Sequence, residues 1–92
     1  MLNTDLATLK TIIVSALNYR NGSDENEQRI FSQLLVLLNS NSNNYENYFL
    51  VSELKLIIAR LKYLIPLRGF SNDEEYYLYS DFITKLEQSA EG

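Results

Sequence analysis

The chain contains no cysteine and no histidine, one proline and three glycines in 92 residues. Without cysteine there can be no disulfide, no thiolate zinc site and no thiol nucleophile. Without histidine the usual imidazole base and metal ligand is missing. A small domain that does without disulfides suits a reducing cytosol, so a cytoplasmic location is the expectation. Cations are the minority charge, eight Lys and Arg against twelve Asp and Glu, for a net charge of -4. General affinity for nucleic acid needs clustered Lys and Arg to displace counterions from phosphates, so no nucleic acid partner is expected. The longest uninterrupted aliphatic run is LLVLL, Leu34 to Leu38, far short of the ~20 residues of a membrane span. The first twenty residues set Asp5 and Lys10 inside the apolar pattern and do not read as a signal peptide. No transmembrane segment is expected.

What is present is enough for one core. A chain of this length buries roughly 60 to 65% of the surface its unfolded form exposes, around a single domain. Hydrophobic residues make up 46% of the chain and charged residues 22%, ordinary proportions for a globular protein. No segment alternates apolar and polar residues for long, which leaves strands without support, and spacings of three and four dominate.

Leu6, Leu9, Ile13 and Leu17 form the first stripe, with Thr4 as N-cap and Gly22 as a left-handed stop after Asn21, predicting a helix over 4-20. Asp24 followed by Glu27 reads as a capping-box start for a second helix over 24-39, whose stripe is Ile30, Phe31, Leu34, Leu35 and Leu38. The Asn/Ser run from Asn39 to Asn44 suits a connector, because short polar side chains compete for backbone hydrogen bonds. A third helix over 45-64 carries Tyr48, Phe49, Val51, Leu54, Ile57, Ile58, Leu61 and Leu64. It is expected to be the longest and to end before Pro66, which lacks the amide needed to continue. Gly69 supplies a positive backbone angle for the tight connection. Ser71 with Glu74, or Asn72 with Glu75, opens a fourth helix over 72-88 with Leu78, Phe82, Ile83 and Leu86 inward, and the tail after Glu87 frays. Four amphipathic helices joined by short turns bury their stripes together, so the expected fold is all-α, an antiparallel up-and-down four-helix bundle.

Candidate chemistry is sparse. Asp24, Glu25 and Glu27, and again Asp73, Glu74 and Glu75, fall in first helical turns, where negative charge offsets the helix dipole. Neither group is accompanied by a phosphate loop, paired metal ligands or an activated serine. No catalytic residue, metal or cofactor is therefore expected, and the chain is not read as an enzyme. Lys55, Arg60, Lys62 and Arg68 form the one basic stretch. Lys55 and Lys62, seven apart, share a helix face while Arg60 points elsewhere. This stretch either offsets a helix C-terminus or docks an acidic partner. Tyr63, Tyr76, Tyr77 and Tyr79 crowd the Pro66 to Asn72 turn. Tyr76, Tyr77 and Leu78 cannot all face a core, so at least one tyrosine lies outside, and Tyr beside Arg is a composition favoured at protein interfaces. Phe70 is read as a plug over the end of the core rather than a bare anchor.

The segment VSELKLIIARLKYLIPL, the turn GFSNDEE and the final DFITKLEQ resemble the C-terminal half of the bacteriocin immunity proteins of the enterocin A immunity type, which act against pediocin-like peptides. The similarity covers Leu50 to Leu86 and rests on apolar spacing, Phe70, the Ser71 to Glu74 cap, Leu78 and Leu86. The resemblance implies a cytoplasmic antiparallel four-helix bundle that protects a Gram-positive producer from its own peptide. It implies action at the bacteriocin-engaged receptor, the mannose phosphotransferase permease, and is compatible with peripheral association with the membrane. By residue type, Arg68, Phe70, Tyr76 and Tyr79 are the candidate partner contacts, with Lys55 and Lys62 as a second patch. The rival reading is a small helical adaptor or inhibitor, phage- or plasmid-encoded, that binds a cytosolic protein partner.

Overall fold

A computed structural model describes residues 3-19, 24-40 and 44-91. Its elements run α1 (Asn3–Leu17), α2 (Glu25–Asn39), a single 3₁₀ turn (Tyr45–Tyr48), α3 (Val51–Arg68) and α4 (Asp73–Glu91). The four helices pack against one another as the expected all-α antiparallel bundle, and among the described residues there is no strand. The antiparallel relation of α3 and α4 is plain in their ion pairs. Arg68 at the end of α3 meets Glu75 at the start of α4, and Lys62, lower on α3, meets Glu87. The Cα radius of gyration is 12.2 Å, matching the about 12 Å of a folded domain of this length.

α1 and α3 each border the other three helices, and in α1 Leu6, Leu9, Ile12, Ile13 and Ala16 are all fully buried. Ile12 and Ala16 broaden the stripe foreseen from Leu6, Leu9 and Ile13, as a helix covered from three sides requires. The other helices present one stripe each: Ile30, Phe31, Leu34 and Leu38 from α2, Leu54, Ile57, Leu61 and Leu64 from α3, and Phe82, Ile83 and Leu86 from α4. Each such burial contributes about 1.5 to 3 kcal/mol before chain entropy is counted.

Several expected boundaries move, each for a local reason. α1 begins at Asn3, so Thr4 is helical and not its cap; the Gly22 stop lies outside the described residues. Asp24 does cap α2, its Oδ1 accepting the Glu27 amide at 2.7 Å. Glu27 does not return the bond and instead accepts from Arg60 of α3 at 2.8 Å.

The third helix is not continuous from Tyr45. The chain makes a 3₁₀ turn, then Phe49 and Leu50 are extended and α3 starts at Val51. The start is held by Glu53, whose Oε1 accepts the Leu50 amide at 2.8 Å. Tyr48 and Val51 are consequently exposed, while Tyr45 turns into the core. At the other end α3 runs through Pro66 to Arg68. A proline this close to a C-terminus removes one amide and leaves only two residues beyond it, so the disruption is small compared with mid-helix. The stop is Gly69, at φ 75°, whose amide donates to Ile65 O at 2.8 Å. α4 takes the Asn72 option for its cap, with the Glu75 amide donating to Asn72 Oδ1 at 2.9 Å. It continues as helix to Glu91 rather than fraying after Glu87, and its 19 residues make it longer than the 18 of α3.

Candidate protein interaction surface

The α3–α4 hairpin is organised around one carboxylate. Glu75 Oε1 accepts from the Ser71 amide at 2.9 Å and from Arg68 Nη1 at 3.1 Å, and Oε2 lies 3.4 Å from Arg68 Nη2. Arg68 Nη1 also donates to Gly69 O at 2.8 Å. The two side chains are only 13% and 14% exposed. The Arg68 guanidinium, then the Ser71 amide, hold the Glu75 carboxyl below its ordinary range. A two-pronged guanidinium-carboxylate pair of this kind fixes orientation as well as contributing energy. Arg68, expected as a partner contact, is therefore a latch that sets the hairpin's shape.

On that frame the aromatic rings form a chain. Phe70 lies 5.5 Å from Tyr76 edge-on and 5.6 Å from Tyr79, and Tyr76 lies 5.5 Å from Tyr77. Phe70 is half-buried against the core, as Leu78 and Tyr79 are, so it plugs the end of the bundle while keeping an accessible edge. Burial, then the Glu87 charge, pushes the Tyr79 hydroxyl up to about 12. Tyr76 and Tyr77 are 51% and 64% exposed, in accord with the argument that consecutive positions cannot all face inward.

Two shallow grooves flank the hairpin. In one, Ser15, Asn18 and Tyr19 at the end of α1 face Arg68, Phe70 and Ser71. In the other, Asp5 and Thr8 near the start of α1 face Asn72, Glu74 and Leu78. Tyr19, half-exposed, thus joins the hairpin surface. Sequence reasoning missed it because its neighbours there come from a segment fifty residues on.

The basic stretch is largely engaged internally. Arg60 pairs with Glu27 at 2.8 Å and lies 5.5 Å from the Tyr63 ring centroid; Lys62 pairs with Glu87 at 3.0 Å; Arg68 pairs with Glu75. Lys55 is exposed. Lys55 and Lys62 do share a face, lining with Ile58, Ala59 and Ala90 a groove between α3 and α4. Among the described residues no group of three or more acidic side chains is placed to hold a metal ion, and no helix is long and apolar enough to cross a membrane.

A second tyrosine site was not foreseen. Tyr45 is fully buried, stacked 5.4 Å from Phe82 with Lys85 Nζ 4.8 Å from its ring centroid. Its hydroxyl has no hydrogen-bond partner, and burial followed by the Glu46 charge raises its pKa well above the ordinary value. Lys85 and Glu46 form an ion pair at 3.5 Å over this turn. The sequence carries no readable signal for it, because Leu50 at the start of α3 has no side-chain acceptor and only the Glu53 carboxylate closes the cap.

No family model, no curated protein and no solved structure matches this chain.

Proposed function

We propose that this chain is a bacteriocin immunity protein, acting from the cytoplasm by binding the membrane receptor that a bacteriocin has engaged. The observation that carries this reading is the pair of exposed rings Tyr76 and Tyr77, continued inward by half-buried Phe70, on a hairpin locked by Arg68 and Glu75. A rigid frame presenting large rings to solvent is what a protein-docking surface needs, since few side-chain rotations are lost on binding. The likeness of Leu50 to Leu86 to the immunity proteins supports the choice of partner, the mannose phosphotransferase permease. Tyr76 and Tyr77 make the contact, with Phe70 and Tyr79 behind them and Arg68 setting their position; the Lys55 and Lys62 groove is a second, weaker candidate. Protection requires the protein to bind one receptor state better than the other, because equal affinity shifts nothing.

The test is survival of a bacteriocin-sensitive Gram-positive strain expressing the chain, against a panel of purified pediocin-like peptides. Protection against one peptide and not others supports the reading and identifies the cognate toxin. Absence of protection with the protein present in the cytoplasm overturns it in favour of an adaptor of a cytosolic protein partner.

A further inference from the structure

We infer that the partner segment received by the hairpin surface is basic and amphipathic, the opposite of the acidic partner that the Lys and Arg stretch suggested. The inference rests on the reading that this end of the bundle docks a protein, and it names the chemistry of what is docked. The hairpin from Arg68 to Tyr79 carries one cation, and Glu75 and Gly69 O hold it in place. That pairing neutralises the charge that would have attracted an acidic surface. The carboxylates around it are left over. Glu74 and Asp5 line the groove on one flank of the hairpin, from α4 and α1 respectively, and Asp73 stands exposed one position earlier. None of the three has an ion pair among the described residues. On the other flank Tyr19 and Phe70 border the second groove, with Tyr76 and Tyr77 continuing the rings outward.

The surface is therefore an aromatic ridge with negative charge along one side. Tyrosine faces attract cations through the ring quadrupole, and unpaired carboxylates at the edge attract the same charge at long range and reject its opposite. An apolar side chain of the partner covers the rings while a neighbouring Lys or Arg reaches Asp5 and Glu74. An anionic membrane surface meets the same carboxylates as repulsion, so the geometry favours protein over lipid.

The experiment uses the whole chain and two synthetic amphipathic peptides with the same leucine and tryptophan positions, one carrying lysines and the other glutamates between them. Binding is followed by amide chemical shifts and titration. The lysine peptide is expected to bind and to move resonances around Tyr19 and from Phe70 to Tyr77, and the glutamate peptide to leave them unmoved. Tyr76→Ala should weaken binding at least about fivefold. Neutralising the flank with Asp5→Asn and Glu74→Gln, neither of which is a helix cap, should weaken it about three- to tenfold and flatten its salt dependence. Equal binding of both peptides, shifts at another face, or indifference to the neutralised flank overturns the inference. So does binding to phosphatidylglycerol vesicles that strengthens when the flank is neutralised, which makes the surface a lipid contact. The two readings fail separately. Protection in cells that depends on Tyr76 without lysine-peptide binding removes the basic partner and keeps the immunity reading. Peptide binding without protection removes immunity and keeps the basic partner.

Discussion

The connection from α2 to α3 and the hairpin from α3 to α4 are built from similar residues and end in opposite arrangements. Each has a tyrosine-rich segment and a glutamate that accepts a backbone amide at a helix start, Glu53 from Leu50 and Glu75 from Ser71. In the first, Tyr45 is drawn wholly into the core under Lys85 and against Phe82, and its hydroxyl gives up every hydrogen bond. In the second, Tyr76 and Tyr77 stay outside and the buried polar atoms are fully partnered through Arg68. A 3₁₀ turn followed by the extended Phe49 and Leu50 can pivot a ring inward. A hairpin closed by Gly69 and a two-pronged ion pair has no such slack, and its rings go where α4 points them. The difference separates a tyrosine used for packing from tyrosines available for contact.

The contrast breaks most severely at the buried stack. Phe82→Ala removes the ring under Tyr45 and should destabilise by about 3 to 5 kcal/mol, read as a large fall in the urea midpoint. Arg68→Ala leaves Glu75 half-buried without its cation and should cost about 1 to 3 kcal/mol. A double-mutant cycle with Glu75→Ala isolates the pair, and a coupling near zero would mean that the hairpin is held by its cap and glycine alone. Glu75 and Glu53 both have depressed carboxyl pKa values, from Arg68 and then Ser71 in one case and from the Leu50 amide and then Arg29 in the other. Groups depressed in the folded state stabilise it fully above their ordinary 4.5 and lose that contribution as pH falls through the folded values. The loss of stability on acidification should therefore be shallower in Arg68→Ala, where Glu75 loses the contact that depresses it most, and little changed in Arg29→Ala, where the Leu50 amide still holds Glu53.

Tyr45→Phe tests the other region with a smaller effect of opposite sign. Deleting a buried hydroxyl that has no partner should stabilise by about 1 kcal/mol, raising Tm by about 4 to 8 °C in a domain of this size. Tyr45 and Tyr79 are held neutral by burial, with pKa raised above the ordinary 10.0. The folded form is favoured below that value and loses ground as pH climbs past it, since the unfolded phenols ionise first. Alkaline unfolding should begin above about pH 10 and be delayed in Tyr45→Phe. Smallest in stability is Tyr76→Ser with Tyr77→Ser, expected within about 0.5 kcal/mol of the parent at each site. If that variant unfolds like the parent and loses protection, contact and packing are separated as the comparison requires.

Four helices, their inward stripes, the Asp24 cap and the Gly69 turn were legible because each depends on residues within one or two turns of one another. The end of α3 was not. Pro66 was expected to stop the helix, yet the hydrogen bond from Gly69 to Ile65 and the Arg68 latch favour carrying it two residues further. The break before α3 was equally hidden, since neither glycine nor proline marks Phe49 and Leu50. Of the candidate site, Tyr76 and Phe70 were placed near the turn correctly. The role of Arg68 could not be read from its type, because a guanidinium in a turn contacts a partner or its own chain according to whether a carboxylate comes within reach.

Periodicity and caps alone determined that this chain makes amphipathic helices and buries them together, because those are properties of neighbouring residues and of apolar area. Only tertiary packing decided which tyrosine is swallowed and which are shown, and which charges cancel. It also brought Tyr19 and Asp5 to a hairpin about fifty and about seventy residues further along the chain. Those outcomes turn on distances between side chains from different helices, and such distances exist only once the helices are in contact.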